Sequence, residues 1–388
     1  MNEAIQDRIN NEIINLENKY SRIRSIDFIK GFAISLIILA HSAGVWKLPE
    51  LDGIYTFIFT YLDVFGSSLF IFLSALSVVF SIHKKNKKIP EKTLKNRVFI
   101  RGFMIMAIGT LYNLPNAFIG TTEFPFNLWG WNILMFIGFA QIFTYYIIKL
   151  TRGLRALIGI SIILLTYFLS PFLHTYKENP VVYVIHFIVI SPTPLNPLLP
   201  FVSICFISSI FGEILVEAMS LESFEARLDL FRRFLRNGVI FLFVGVLLGI
   251  LDRDPFFISH GIYFPKFVIR GEPSNIFYSI GIALILIGSL FYYIDVLKKN
   301  NVFVQMFVFL GNVSLSLFLI SYIWLPLFTV HFNIFIIWFA WIAYTSILAF
   351  MMYIWRYYFS GKYSLEWMMS HMVGSRKKVN NIIFKKLD

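Results

Sequence analysis

Long apolar runs alternate with short polar segments over most of the chain's 388 residues. Each run holds about 20 mostly apolar residues, the length that an α-helix needs to cross the hydrocarbon core of a bilayer. The runs are continuously apolar, which favours helices over the alternating strands of a membrane barrel. The pattern therefore predicts an all-α, polytopic integral membrane protein with about ten transmembrane helices. The predicted spans cover residues 28–46, 55–82, 98–114, 131–150, 154–173, 197–219, 238–251, 276–294, 303–328 and 332–359.

One apolar stretch, residues 181–190, is too short to cross a bilayer, so we interpret it as a re-entrant or interfacial segment. With the spans above, most Lys and Arg residues fall on one side of the membrane, as the positive-inside rule requires of the cytoplasmic side. Counting the short stretch as a further span would move the arginine-containing segment 221–236 to the opposite side. The charge pattern therefore predicts that both termini are cytoplasmic.

The polar ends of the chain differ from its apolar body. Residues 1–27 are polar and charged and show no cleavable signal peptide, so they are predicted to form an amphipathic cytoplasmic lead-in. Residues 28–359 form one predicted transmembrane domain, and residues 360–388 a basic cytoplasmic tail. We therefore expect an integral protein of the plasma membrane.

Composition supports the membrane assignment and narrows the partners. Hydrophobic residues make up 57% and charged residues 14% of the chain, whereas soluble domains carry about 25% charged residues. The net charge of +12 comes mostly from predicted cytoplasmic segments, which favours contact with anionic membrane lipids and not with nucleic acid. The single cysteine excludes an internal disulfide. No His/Cys spacing typical of a metal site is visible, so no metal is predicted.

Ionisable residues inside membrane spans usually face a protein interior or a wet cavity. On the first predicted span, which Asp27 immediately precedes, His41 lies about 20° from Lys30 and about 40° from Asp27 around the helix, roughly 16 Å beyond Lys30 towards the outer end. An ion pair at the membrane interface is the alternative for Asp27 and Lys30. A hydrogen-bonded core histidine is the alternative for His41.

The second predicted span carries a line of polar residues. Six residues fall within about 40° of one line along this helix: Asp63, Ser67, Phe70, Ser74, Ser77 and Ser81. A row of serines with a carboxylate at its outer end indicates a wet or substrate-lined groove, although small residues also permit close helix packing. In the fourth predicted span, Asn132 and Gln141 are expected to hydrogen-bond between helices.

Two pairs of residues suggest specific chemistry. Arg97 and Arg101 open the third predicted span one turn apart, where they can hold phosphate groups such as those of coenzyme A, or anchor lipid headgroups. His41 and Asp63 lie near the outer ends of their spans, so a His–Asp pair there could take a proton from an acceptor hydroxyl or amine. No Ser elbow, Walker loop or dinucleotide fingerprint is visible, which leaves hydrolase and NTPase functions without support.

Several segments resemble the transmembrane acyltransferases and occur in the order found in that family. The segment RSIDFIKGFAI at 24–34, running to His41, resembles the opening Asp-x-x-Arg-Gly-x-Ala of the family. The segments LDVF at 62–65 and LFIFLSA at 69–75 are similar to its second span. Weaker matches are NPLLPF at 196–201, EPS at 272–274, LGNVSLS at 310–316 and SLEW at 364–367. The chain resembles both the heparan-alpha-glucosaminide N-acetyltransferase-like proteins and the broad acyltransferase-three branch.

The resemblance implies a membrane-embedded acyltransferase. Such an enzyme moves an acyl group, usually acetyl, from cytoplasmic acetyl-CoA or another acyl-CoA to a hydroxyl or amine of a glycan or lipid. The implied catalytic residues are His41, as the base, and Asp63, as its assistant. The implied donor-binding residues are Asp27, Lys30, Arg97 and Arg101. Analogy with the family also suggests a homodimer.

The sequence departs from the family pattern at a few positions. Lys30 stands where Arg is usual, which keeps the charge but loses the planar guanidinium. His41 matches the broad branch, whereas the heparan branch has Asn there and a His in the following loop; the loop 47–54 contains none. Ser321 stands where many relatives have His. Two alternatives therefore stay open: a non-catalytic transporter or lipid flippase, and an inactive family member.

Overall fold

The structure is a computed structural model that describes residues 23–86, 89–119, 128, 130–190, 196–221, 223–251, 256–258 and 262–372. Most of the predicted lead-in (1–22) and the end of the predicted tail (373–388) lie outside the described residues. The described residues are almost entirely helical, which confirms a polytopic helical architecture, with one short hairpin in addition.

The described part of the chain contains fourteen α-helices. In chain order they are α1 (Arg24–Trp46), α2 (Asp52–Leu62), α3 (Ser67–Asn86), α4 (Glu91–Ile119), α5 (Ile133–Ile147), α6 (Arg152–Thr175), α7 (Pro180–Val189), α8 (Leu198–Ser220), α9 (Phe224–Leu251), α10 (Pro273–Leu290), α11 (Val302–Asn312), α12 (Ser314–Ser321), α13 (Ile334–Phe359) and α14 (Leu365–Met372). The antiparallel strands β1 (Phe256–Ile258) and β2 (Ile262–Phe264) pair with Phe256 opposite Phe264.

The number of spans is lower than the sequence predicts. Seven helical segments are long and apolar enough to cross a membrane, or eight if the pair α11–α12, bent by 76°, counts as one span. The prediction of about ten is therefore not supported by length and composition. The missing two correspond to α4, which has 29 residues but carries several charges in its first turns, and to α5, which has only 15 residues. The predicted short segment is the ten-residue helix α7.

The helices α1 and α11 cross with their backbones almost in contact. A Cβ atom at Gly31 would overlap the carbonyl oxygen of Phe307, and one at Gly311 would overlap the carbonyl oxygen of Asp27. Only glycine permits so close an approach, which is how small residues let helices associate in membranes. Phe28 packs beside this crossing on Phe307, with ring centroids 5.2 Å apart. The crossing places the first turns of α1 directly against the end of α11.

The first turn of α1 is held by an acidic residue distant in the chain. Asp295, in the π-helix Phe291–Val296 that follows α10, accepts hydrogen bonds from the backbone N–H groups of Arg24 and Ser25, each at 3.0 Å. The Arg24 side chain donates to the Asn300 side chain at 2.5 Å. These bonds satisfy amide groups that a helix start leaves without partners. The start of α1 therefore has a defined position.

A polar network joins α4 to α5. The Asn132 side chain accepts from the Met135 N–H at 2.9 Å, which caps α5, and donates to the Gly109 carbonyl at 2.7 Å and to the Asn113 side chain at 2.8 Å. The predicted hydrogen bonding of Asn132 between helices is confirmed. Gly138 contributes close backbone packing, because a Cβ atom there would crowd the Gly102 carbonyl oxygen.

Candidate active site

A cavity of about 880 Å³ lies inside the helical bundle. Its walls come from α1, α3, α4, α5, the bent pair α11–α12, the end of α13 and α14. The polar and charged residues on the walls are Asp27, Lys30, Ser74, Ser77, Ser81, Arg97, Arg101, Gln141, Asn312, Ser314, Arg356, Ser360, Lys362, Ser364, Glu366 and His371. Within the described residues, no group of three His, Cys, Asp or Glu residues could hold a metal ion.

The serine side of α3 forms one wall of this cavity. Phe70, Ser74, Ser77 and Ser81 line it, as the sequence predicts for a wet groove. The Lys30 ammonium donates to the Ser77 hydroxyl at 3.1 Å. The Ser74 hydroxyl is buried and has no hydrogen-bond partner among the described residues. A buried hydroxyl facing a cavity without a partner is available to a ligand or to water.

The predicted polar line does not continue to its outer members. The chain forms a short 3₁₀ turn at Asp63–Phe65, and Gly66 has ψ −117°, so α3 starts only at Ser67. Asp63 is therefore not on the same straight helix as the cavity serines, and neither Asp63 nor Ser67 is among the described cavity-lining residues. The unbroken helix predicted over residues 55–82 is therefore interrupted at residues 63–66.

Positive charge dominates the end of the cavity where α4 begins. Lys30, Arg97 and Arg101, all predicted from the sequence, lie on its wall. Two more cations, Arg356 and Lys362, join them from the last turn of α13 and the segment after it. Sequence analysis missed these two because Arg356 ends an apolar run and Lys362 lies in the predicted basic tail. Five cations face two carboxylates, those of Asp27 and Glu366, so this end is suited to a ligand with several negative charges.

The bend between α11 and α12 contributes a second wall. Helix α11 ends at Asn312, whose side-chain oxygen is buried without a hydrogen-bond partner among the described residues, and α12 begins two residues later at Ser314. Asn312 therefore does not cap α12 through that oxygen. The end of α12 holds Ser321, whose hydroxyl donates to the Phe318 carbonyl at 2.7 Å. That bond occupies Ser321 within its own helix.

His41 lies beyond the wall formed by Phe318. Its side chain is exposed, although aromatic rings border it: the Tyr322 ring centroid is 5.0 Å away and that of Phe318 is 6.4 Å away. Tyr322 in turn meets Tyr112 edge to face at 4.7 Å. Phe318 lines the cavity, whereas His41 is not among the described lining residues. The Phe318 ring therefore contacts both the cavity and the His41 ring.

The structure brings Asp63 to an arginine and not to His41. The Arg270 Nε donates to Asp63 Oδ2 at 2.7 Å, and the Nη2 group donates to Oδ1, so the pair is bidentate. Asp63 therefore forms a charged pair with Arg270. Sequence reasoning missed Arg270 because it lies 207 residues from Asp63 in a loop.

These features define a polytopic helical membrane protein with a charged cavity inside its bundle and a histidine next to the cavity's far end. The chain belongs to the heparan-alpha-glucosaminide N-acetyltransferase family, because the model of the catalytic region of that family matches residues 22–230, more than half of the chain. The family's activity is acetyl transfer at a membrane. None of the curated proteins matches the chain. The match includes His41, Asp63 and Arg97 but ends before Arg270 and α14.

Proposed function

We propose that this protein transfers an acetyl group from acetyl-CoA to an amine or hydroxyl of a glycan or lipid across the width of the bundle. The observation that supports this most is one cavity that joins five cations at one end to the aromatic wall beside His41 at the other. The donor phosphates would bind at the cation-rich end. The acceptor would lose its proton at the His41 end. The distance along α1 from Lys30 to His41 is roughly 16 Å, so an extended donor is needed to connect them.

The donor is proposed to enter at the cation-rich end. Arg97 and Arg101 hold its phosphates, since guanidinium groups bind phosphate oxygens in pairs. Lys30 and Asp27 organise the first turn of α1 beside them, where the crossing of α1 and α11 fixes their backbone. The thioester arm then lies along Ser77 and Ser74, which leads it towards Phe318.

The acceptor is proposed to meet the thioester on the side of His41. The lone pair of the acceptor nitrogen or oxygen attacks the thioester carbonyl carbon, the C–S bond breaks, and coenzyme A leaves as a thiolate. The neutral imidazole of His41 takes the acceptor proton and returns it to the thiolate, so no net charge is left. Asp63 supports this step while Arg270 holds its carboxylate in a fixed orientation.

The proposed arrangement in the membrane counts α4 and α5 as spans. Together with the bent pair α11–α12 and the seven apolar segments, they restore the predicted number of about ten. Charged turns at the start of α4 then lie at the cytoplasmic surface, as the positive-inside rule favours. Both termini are cytoplasmic in this arrangement, the donor enters from the cytoplasm, and the acceptor lies outside. The plasma membrane as location and a homodimer as assembly belong to the same proposal.

Acetyl transfer from radiolabelled acetyl-CoA in purified, lipid-reconstituted protein tests the proposal directly. We expect label on a glycan or lipid acceptor with the wild type and none with His41→Ala. His331→Ala is the matched control, because His331 is also exposed and lies near the end of α1. Its backbone N–H donates to the Trp46 carbonyl oxygen there. It should transfer label like the wild type.

The alternatives predict other results in the same experiment. A folded wild type that neither binds acetyl-CoA nor labels a broad pool of acceptors would contradict catalysis, and transport of a polar lipid would then be tested. Binding of acetyl-CoA without transfer would indicate an inactive family member, consistent with Ser321 in place of the relatives' histidine.

A further inference from the structure

The C-terminal part of the cavity wall lies outside the region that matches the family. Residues 360–372, here called the strap, follow α13 and contain α14. Eight residues of the cavity wall come from it, namely Ser360, Gly361, Lys362, Ser364, Glu366, Trp367, Met369 and His371. Helix α14 contacts α12 on one side and α4 on the other. The strap therefore bridges the cation-rich end of the cavity from one wall to the opposite wall.

One carboxylate attaches the strap to the bent helix pair. Glu366 Oε1 accepts the backbone N–H groups of Leu315 and Ser316, each at 3.0 Å, and Oε2 accepts the Ser316 hydroxyl. The Ser316 hydroxyl oxygen accepts the Leu365 N–H at 3.1 Å in return. A carboxylate on the first turn of a helix is favoured by the exposed amide groups and by the helix dipole. This set of bonds, here called the Glu366 latch, is the polar attachment of α14 to α12.

The strap joins α13 through a turn with unusual backbone angles. Ser360 has φ 53°, Gly361 has φ 66° and Tyr363 has φ 65°. Two of these are not glycine, and the left-handed region is costly for such residues unless other contacts enforce it. Trp355 Nε1 donates to the Lys362 carbonyl at 2.8 Å and supports the turn. The closed position is thus maintained by these polar contacts and by Met369, which is buried in the main hydrophobic core, against a strained connection.

From these contacts we infer that the strap closes the donor entrance of the cavity and that the Glu366 latch holds it shut. The inference rests on the proposed function for the nature of the ligand, an acyl-CoA. Opening the latch breaks the bonds to α12 and lets the turn at 360–363 relax. Lys362 moves with the strap, so one of the phosphate-facing cations belongs to the moving part. Access to the serine wall is then controlled by the strap.

The single cysteine of the chain, Cys205, is fully buried in α8, so a thiol reagent should not reach it in the folded protein. Ser81→Cys places one reactive thiol on the cavity wall. Its rate of labelling by a bulky polyethylene-glycol maleimide, in lipid-reconstituted protein, measures access to the cavity. We expect Glu366→Ala to raise this rate about tenfold, because charge-assisted hydrogen bonds are lost. Glu366→Gln, which keeps an acceptor oxygen, should raise it less.

Two controls separate opening from unfolding. Met368→Ala lies on the same helix at a position that is not among the described cavity-lining residues, and it should leave the Ser81→Cys rate unchanged. In variants that keep Ser81, labelling of Cys205 reports loss of the fold and should stay absent. An unchanged Ser81→Cys rate in Glu366→Ala would overturn the inference. Labelling of Cys205 in Glu366→Ala would overturn it as well, because the latch would then hold the fold together and not the entrance.

Coenzyme A provides a separate readout for the donor. If the cavity binds it, saturating coenzyme A should slow labelling of the Ser81→Cys thiol in both the wild-type and the Glu366→Ala background. Faster labelling in Glu366→Ala without protection by coenzyme A would support closure of the cavity by the strap and contradict coenzyme A as the donor. Protection by coenzyme A without any effect of Glu366→Ala would support coenzyme A as the donor and contradict closure of the cavity by the strap.

Discussion

The two ends of the candidate site differ in their balance of positive and negative charge. At the α4 end, five cations share the wall with two carboxylates, so positive charge is left over for a ligand. At the His41 end, the described ion pairs are Arg270 with Asp63 and Lys47 with Asp52, and the charges within each pair balance. An end with excess charge suits the binding of a charged ligand, whereas a balanced end suits the orientation of groups around a reaction.

This difference suggests that the donor is bound at the α4 end and that the chemical step takes place at the His41 end. Substitutions at the α4 end should alter donor affinity and leave the turnover rate almost intact, because they remove interactions that ground state and transition state share. Substitutions at the His41 end should do the reverse. Four changes test the comparison, starting with the largest expected effect.

His41→Gln should lower kcat by about 10²- to 10⁴-fold, the usual contribution of a positioned general base. Its affinity for coenzyme A should stay unchanged, since the phosphates are held at the other end. Acetyl transfer and equilibrium binding of coenzyme A measure the two effects. Weakened binding with intact kcat in this variant would reverse the assignment of the two ends.

Arg97→Gln combined with Arg101→Gln should raise the donor KM by about 10- to 100-fold with little change in kcat, because two charge-assisted contacts to phosphate are lost. The matched control is Arg232→Gln with Arg236→Gln, a pair with the same spacing of four residues on the exposed side of α9. Equal effects of the two double variants would show that only the total charge of the surface matters.

Gly31→Ala should destabilise the fold by about 1–3 kcal/mol, the typical cost of overpacking, because the new methyl group would overlap the Phe307 carbonyl oxygen. Gly153→Ala on α6 is the control, since nothing lies within 4 Å of a Cβ atom there. Thermal unfolding in detergent measures both. A stable Gly31→Ala protein would mean that α1 and α11 can separate without loss, and that this crossing does not fix the donor end.

Asp63→Leu should affect stability less than Gly31→Ala does. The change removes a costly charged group from the membrane edge, which by itself would leave the fold unaffected, and the proposed role of Asp63 in catalysis predicts loss of turnover. With Arg270 as partner, we now expect a loss of about 1–2 kcal/mol, between the values for exposed and buried ion pairs. A double-mutant cycle with Arg270→Leu isolates the pair energy. A coupling energy near zero would leave Asp63 as a catalytic group and remove its proposed orientation by Arg270.

Local pattern was sufficient for several features of the site. The serine row of α3 and the cations Lys30, Arg97 and Arg101 follow from helical spacing, and the structure places all of them on one cavity. The number of membrane spans was predicted less well. Helix α4 combines charged first turns with an apolar remainder, and α5 has only 15 residues. Length and hydropathy then no longer separate a span from a shorter helix.

By itself, the sequence determined that this is a helical membrane protein of an acetyltransferase family, and which helix faces carry polar groups. Those properties are local, because a bilayer requires each crossing segment to satisfy its own backbone and to be apolar over its own length. Only the tertiary structure decided that α3 breaks from its predicted start at Gly66, that Asp63 pairs with Arg270, and that α14 attaches to α12. Each of these depends on contacts between segments far apart in the chain, and no periodicity within one segment encodes the partner in another.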